Sequence, residues 1–150
     1  MQKVDDLDFK LLIELKKDSQ ISIPSLSKKL GINSSVLYSR INRLVKKKII
    51  TKFTIETDDS RLGIGVKALV GINRDPKDKN SIHMSLMEIP YVVSIYEVTG
   101  RFDIVIRIFA EDLEQLHSVI IEKIGNIVGI NSTETFVELQ KTEKEQIYMK

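Results

Sequence analysis

The stretch SIPSLSKKLGINSSVLYSRINRLVKKK, residues 22–48, constrains this chain more than any other. Ser22 is a good helix N-cap, and Pro24 falls in the first turn, where a missing N–H costs nothing. Leu26 and Leu30, four apart, give a short helix one apolar stripe. Gly31 supplies a residue that can leave that helix with positive φ. Asn33 then caps a second helix, whose Leu37, Ile41, Leu44 and Val45 follow helical spacing and face inward. Its outer face is left with Ser34, Ser35, Tyr38, Ser39, Asn42, Arg43 and Lys46. These are hydrogen-bonding groups, an aromatic and cations, with no carboxylate. Such a surface suits a major groove lined by acceptors and flanked by phosphates.

Charge coincides with this pattern. Residues 20–57 carry Lys28, Lys29, Arg40, Arg43, Lys46, Lys47, Lys48 and Lys52 against Glu56 alone, a net of +7. Residues 61–150 carry 11 Lys+Arg against 13 Asp+Glu, a net of −2. A basic module joined to a slightly acidic one points to a polyanion partner for the first. Charge by itself favours a solvated helix face; its overlap with the bihelical unit moves the reading to double-stranded DNA.

In front of that unit, Asp5 caps a first helix, and Asp8 is placed to reach back to the cap. Leu7, Leu11, Leu12 and Leu15 form its buried stripe. Behind it, Ile49 to Thr57 alternates apolar and polar residues, a strand signature. Three helices and a strand make a winged helix–turn–helix, expected over residues 1–60, with Lys52 on or near the wing and within reach of a phosphate.

A polar connection, DDSRLG, leads into a second module over residues 61–150. Its pattern is a strand at 64–72, a helix at 80–88, strands at 91–99 and 102–109, a helix at 112–124, and a strand at 130–139. Leu113, Leu116, Ile120 and Ile124 mark one face of the later helix, while Met84 and Met87 are read as core on the earlier one. The order βαββαβ is ferredoxin-like, an antiparallel sheet with both helices on one face. The fold class is therefore α+β. Tyr91, Val93, Ile95, Phe102, Ile104, Ile106 and Ile108 are too apolar to leave the other face in water, so a homodimer is expected.

With these elements placed, the chain resembles the Lrp/AsnC family, the leucine-responsive or feast/famine regulators of bacteria and archaea. Leu7-Asp8, Leu11-Leu12, Leu26, Leu30-Gly31-Ile32, Arg40-Ile41, Arg43-Leu44, Ile49-Ile50 and Leu62-Gly63 carry the likeness in the first part. Thr99-Gly100-Arg101-Phe102-Asp103 matches the family's T-G-x-x-D signature, and Thr133-Glu134-Thr135 its later Thr-x-Thr segment. The resemblance implies a regulator of transcription that takes a small amino-acid effector in clefts between subunits and assembles from dimers into tetramers or octamers. Carried over residue by residue, Gly100, Arg101, Phe102 and Asp103 line one wall of that cleft, and Thr133 and Thr135 another. Glycine lets backbone N–H groups approach a carboxylate, Asp103 suits an α-ammonium, and hydroxyls complete the set. Lys48 and Ser19 stand where the family usually has glycine, and Ser27 where it usually has alanine.

Other classes find little support. The absence of cysteine excludes disulfides, zinc fingers and thiol nucleophiles. His83 and His117 each lack a second ligand at metal spacing, so no metal or other cofactor is expected. Nothing pairs a nucleophile with a base, so no enzyme is expected. No run approaches a membrane span and the N-terminus lacks a signal-peptide core, which points to a cytoplasmic protein and no membrane partner. The alternative to an effector-responsive regulator is an architectural DNA-compacting protein whose second module only oligomerises. The G-x-x-D loop, which oligomerisation does not need, argues for the first.

Overall fold

The computed structural model describes residues 4–144. They divide into two compact units, one running to Thr57 and also including Glu143 and Lys144, and one spanning Asp58–Thr142.

The first unit holds three helices, α1 (Asp6–Lys17), α2 (Ile23–Leu30) and α3 (Ser34–Lys46). Asp5 and Asp8 close a reciprocal capping box at the start of α1: each carboxylate accepts the other's backbone N–H, at 2.9 and 3.1 Å. Ser22 caps α2 through the N–H of Ser25, and Asn33 caps α3 through that of Ser35. Leu11, Leu26, Leu37 and Leu44 meet in a core with no solvent access to speak of, flanked by Leu12, Leu15, Ile21, Leu30, Ile32, Ile41 and Ile50. Burying each of the four leucines contributes about 1.5–3 kcal/mol, so this small unit depends on all of them. Val45, expected inward, is exposed instead.

Both helix ends that carry the turn leave through left-handed residues. Gly31 has φ +68°, and the Ile32 N–H reaches back to the Ser27 carbonyl. The hydroxyl of Ser27 donates to the Ile32 carbonyl at 2.5 Å and ties the turn shut. At the end of α3 the left-handed residue is Lys48, φ +55°, the one non-glycine of positive φ among the described residues. Its N–H bonds to the Val45 carbonyl, and that of Ile49 to the Leu44 carbonyl, the paired bonds of a Schellman ending.

The strand expected over residues 49–57 is absent. A strand exists only as part of a ladder, and among the described residues this segment has no partner strand. A hydrogen bond from the Ser19 hydroxyl to the Thr54 carbonyl ties it to the α1–α2 turn. Phe53 and Ile55 remain exposed.

The second unit opens with a 3-10 turn (Asp59–Leu62) in the polar connection, followed by β1 (Val66–Arg74), α4 (Lys79–Met87), β2 (Val92–Glu97) and β3 (Ile104–Ala110). Then come α5 (Leu113–Ser118), which widens into a π-helical turn over Val119–Ile124, and β4 (Ile130–Val137). The strands form one antiparallel sheet in the order β2-β3-β1-β4, the ferredoxin-like arrangement. Ala68, Val70 and Ile72 of β1 and Ile104, Ile106 and Ile108 of β3 pack on Ile82, Leu86, Leu116, Val119 and Ile124 from the helices.

Three expectations need correction here. Ile104, Ile106 and Ile108 all face the helices, as the two-residue period of a strand requires, and Ile95 joins them by pairing with Ile106. The apolar groups on the open face are instead Leu69, Tyr96, Phe102, Val105, Phe109 and Phe136. On α5 the buried set centres on Leu116 and Val119; at about 100° per residue Leu113 lies on the flank and is exposed. Met84 and Met87 are also exposed, since Ile82 and Leu86 take the inward face of α4.

Candidate functional site

The outer face of α3 is presented by its inner one. Leu37 and Leu44 are fully buried, so Tyr38, Ser39, Asn42 and Lys46 stand in solvent on the other side. Tyr38 is 60% exposed and makes no aromatic contact within the described residues. Ser34 is half-buried. Ser35 is exposed, but its hydroxyl bonds to the Asn33 side chain at 2.8 Å and strengthens the cap. Lys52 is exposed in the irregular segment after α3 rather than on a strand.

Arg43 is placed differently from its sequence neighbours. Its Nη2 reaches the Asp8 carboxylate at 2.5 and 2.7 Å, so its guanidinium turns toward α1. Arg40 does the same through Nη1, 2.8 Å from Asp8 and 2.7 Å from both oxygens of Asp5. The Arg40 guanidinium, together with the Asp8 backbone N–H, holds the Asp5 carboxyl below the ordinary carboxylate range, and Asp5 in turn raises Arg40. The reading of Arg43 as an outward DNA contact overlooked a carboxylate on another helix; only Asp8's double duty in the capping box hinted at it. Conversely, Lys28, Lys47 and Lys48 are exposed and form no ion pair among the described residues, and join Lys46 and Lys52 as open cations. Lys29 is paired with Glu14, whose carboxyl it holds down.

In the second unit the β2–β3 loop carries the G-x-x-D residues. Gly100 has φ +143°, which favours glycine there. Phe102 lays its ring over Gly71 at the centre of the sheet, where a Cβ would come within 2.5 Å of it. It also meets Phe136 edge-on, with centroids 6.2 Å apart. Arg101 stacks over Phe102 and pairs with Glu134 at 2.8 Å. Asp103 stitches two strands: its N–H donates to the Ile72 carbonyl, its carbonyl accepts from Val98, and its Oδ2 accepts the Arg74 N–H at 3.0 Å. Among the described residues its other carboxylate oxygen accepts no hydrogen bond and is left for another donor.

Thr133 and Thr135 lie on edge strand β4, opposite Ile72 and Val70, and so share the helix-side face with them. Glu134 and Phe136 lie opposite Gly71 and Leu69, on the open face with Phe102. Within one chain, therefore, the two threonines and the Arg101–Phe102 pair belong to opposite faces of the sheet. Glu134 and Phe136 are the residues that sequence reading missed; the signal was available in the position of Glu134 between the two threonines, facing away from both. No group of His, Asp or Glu suited to a metal ion occurs among the described residues, and no described helix is long and apolar enough to cross a membrane.

This architecture recurs in known proteins. A winged helix-turn-helix DNA-binding model matches residues 4–51, and an Lrp/AsnC ligand binding domain model matches residues 67–147. An HTH-type transcriptional regulator of Pyrococcus furiosus is 37% identical over 147 residues, covering 96% of this chain and 97% of its own. The structure of AsnC from E. coli superposes with a TM-score of 0.88 at 29% identity, covering 97% and 98% of the two chains. A transcriptional regulator of Neisseria meningitidis, solved as a complex with L-Met, superposes with a TM-score of 0.89 at 16% identity over 95% and 94%. With one model over the helical unit, the other over the sheet unit, and a relative aligned across both, the chain belongs to the Lrp/AsnC family of transcriptional regulators.

Proposed function

We propose that this regulator reads double-stranded DNA with the outer face of α3 and responds to an amino acid bound between copies of its sheet unit. The observation that carries the DNA half is the carboxylate-free face of Tyr38, Ser39, Asn42 and Lys46, held outward by the buried leucines behind it. Ser34 and Ser35 lie at the N-terminal end of that face, and Lys52 beyond its C-terminal end. Arg43 supports the face from behind rather than forming part of it.

For the effector, the Gly100–Asp103 loop supplies a positive-φ glycine and a carboxylate with one oxygen uncommitted. An α-ammonium on that oxygen forms a charge-assisted bond, the stronger kind. Thr133 and Thr135, on an edge strand and on the other face, complete the cleft only across a boundary between subunits. The L-Met complex of the Neisseria protein supports an amino acid as the ligand class. The open face of the sheet, with Leu69, Tyr96 and Phe136 exposed, supports a homodimer through that face, from which tetramers or octamers are built.

A thermal-shift screen of the full chain against the twenty amino acids tests the reading, because a ligand that binds only the folded state raises its stability. One or a few amino acids are expected to raise Tm, and Asp103→Ala to abolish that rise while leaving DNA binding intact. A flat screen, with DNA binding intact and DNA compaction unaffected by amino acids, would instead favour the architectural role.

A further inference from the structure

Asp8 is the one charged residue in the cores of the described chain, with no exposed surface at all. Its carboxylate accepts from three directions: Nη1 of Arg40 at 2.8 Å, Nη2 of Arg43 at 2.5 and 2.7 Å, and the backbone N–H of Asp5 at 3.1 Å. Asp5, half-exposed, takes the second share of Arg40. Two carboxylates and two guanidiniums thus close a neutral knot between the N-terminus of α1 and the middle of α3.

We propose that Asp8 is the positioning residue of the DNA-reading helix, and that Arg40 and Arg43 stay bound to it when DNA is engaged. Two guanidiniums three residues apart on α3, converging on one carboxylate, fix both the rotation of that helix and its sliding along α1. Rotation decides which side chains face outward, so Asp8 sets the register of Tyr38, Ser39 and Asn42 without touching DNA. Moving either arginine to a phosphate leaves a buried carboxylate short of a partner, and an uncompensated buried charge is the costlier state. The phosphate contacts then fall to the open lysines, Lys28, Lys46, Lys47, Lys48 and Lys52. The basic character counted in the sequence overstates what DNA meets by these two arginines.

Salt dependence separates the roles, because the slope of log K against log salt counts phosphates neutralised, at about 0.9 per contact. The full chain is titrated with a 40-base-pair duplex enriched by the wild type from a random library, and with a scrambled duplex, across a salt series. Such a duplex spans about four helical turns. Arg43→Gln and Arg40→Gln are expected to leave the slope unchanged, whereas Lys46→Gln flattens it by about 0.9. Asp8→Asn is expected to steepen the slope by about 0.9 to 1.8, as one or both arginines turn outward, and to lower the enriched-to-scrambled ratio about tenfold or more. A packing role alone would weaken both duplexes in proportion and leave slope and ratio as they were. Circular dichroism establishes that each variant is folded; should Asp8→Asn fail there, the arginine slopes decide. Flattening by Arg43→Gln to the extent seen with Lys46→Gln overturns the proposal. The proposal rests on the DNA reading of α3, and a wild type that enriches no duplex would overturn that reading as well.

Discussion

Replacing Lys48 with glycine is expected to stabilise the DNA-binding unit. Lys48 sits at φ +55° because the Schellman ending of α3 demands a left-handed residue there: its N–H must reach Val45, and that of Ile49 must reach Leu44. For an L-residue with a Cβ that conformation costs about 1–2 kcal/mol. Glycine removes the cost but gains freedom in the unfolded chain, which offsets about 0.4–1 kcal/mol. The net expected gain is ~0.5–1 kcal/mol. Lysine also carries charge, so the comparison that isolates the backbone is Lys48→Gly against Lys48→Ala, both neutral. The assay is denaturant unfolding of the full chain, followed by NMR resonances of Leu37 and Leu44 so that only the helical unit is read. The midpoint should rise for Lys48→Gly relative to Lys48→Ala, with the denaturant slope unchanged. Equal midpoints, or a more stable alanine variant, would refute the argument that the turn stores this strain.

Two further outcomes follow from the geometry. Gly71→Ala drives a methyl into the Phe102 ring and should destabilise the sheet unit by about 1–3 kcal/mol, with much of the loss recovered in the Gly71→Ala, Phe102→Ala double variant; a double variant worse than the sum of its parts would show that the ring is not what the methyl meets. Hydrogen bonds from Arg40 to Asp5, Lys29 to Glu14 and Lys79 to Glu97 hold these carboxyls below their usual range. A depressed folded pKa contributes stability that is present above the unfolded value and lost as pH falls through the folded one. Stability should therefore stay level from neutral pH to about 5 and drop below about 4, and Asp5→Asn should make the acid limb of the helical unit shallower. An acid limb as steep in Asp5→Asn as in the wild type would count against the Asp5–Arg40 assignment.

What the sequence made legible, and what it hid, divides along the range of the interactions. Caps and turns are local: Asp5, Ser22, Asn33 and Gly31 each act within a few residues, and each does what its position implied. The order βαββαβ was legible because strand and helix periods differ. The failures lie where a residue's role depends on something distant in sequence. Residues 49–57 alternate apolar and polar side chains through Phe53 and Ile55, yet a pattern only permits a strand, and the ladder needs a partner strand, which is absent among the described residues. Phe53 and Ile55 of this segment are exposed. Leu113 and Met84 follow a helical stripe but fall on its flank, because the sheet decides which arc of a helix is buried.

Arg43 is the instructive case for function. On a helical wheel it belongs with Asn42 and Lys46, facing away from Leu37 and Leu44. A guanidinium on its long stem, however, reaches sideways as readily as outward, and what it meets there is set by another helix 35 residues earlier. Lys46, at the end of α3, is exposed and forms no ion pair among the described residues. The electrostatic footprint of a recognition helix is thus the set of its cations minus those its own scaffold has already neutralised. On the proposed DNA reading, that difference moves the DNA-facing charge of this chain from the middle of α3 to its C-terminal end and the lysines that follow, where Lys46, Lys47, Lys48 and Lys52 lie in sequence. On the same proposed reading, phosphate contacts concentrated there would anchor one end of the helix, and would leave Tyr38, Ser39 and Asn42, uncharged and ahead of it, free to discriminate between bases.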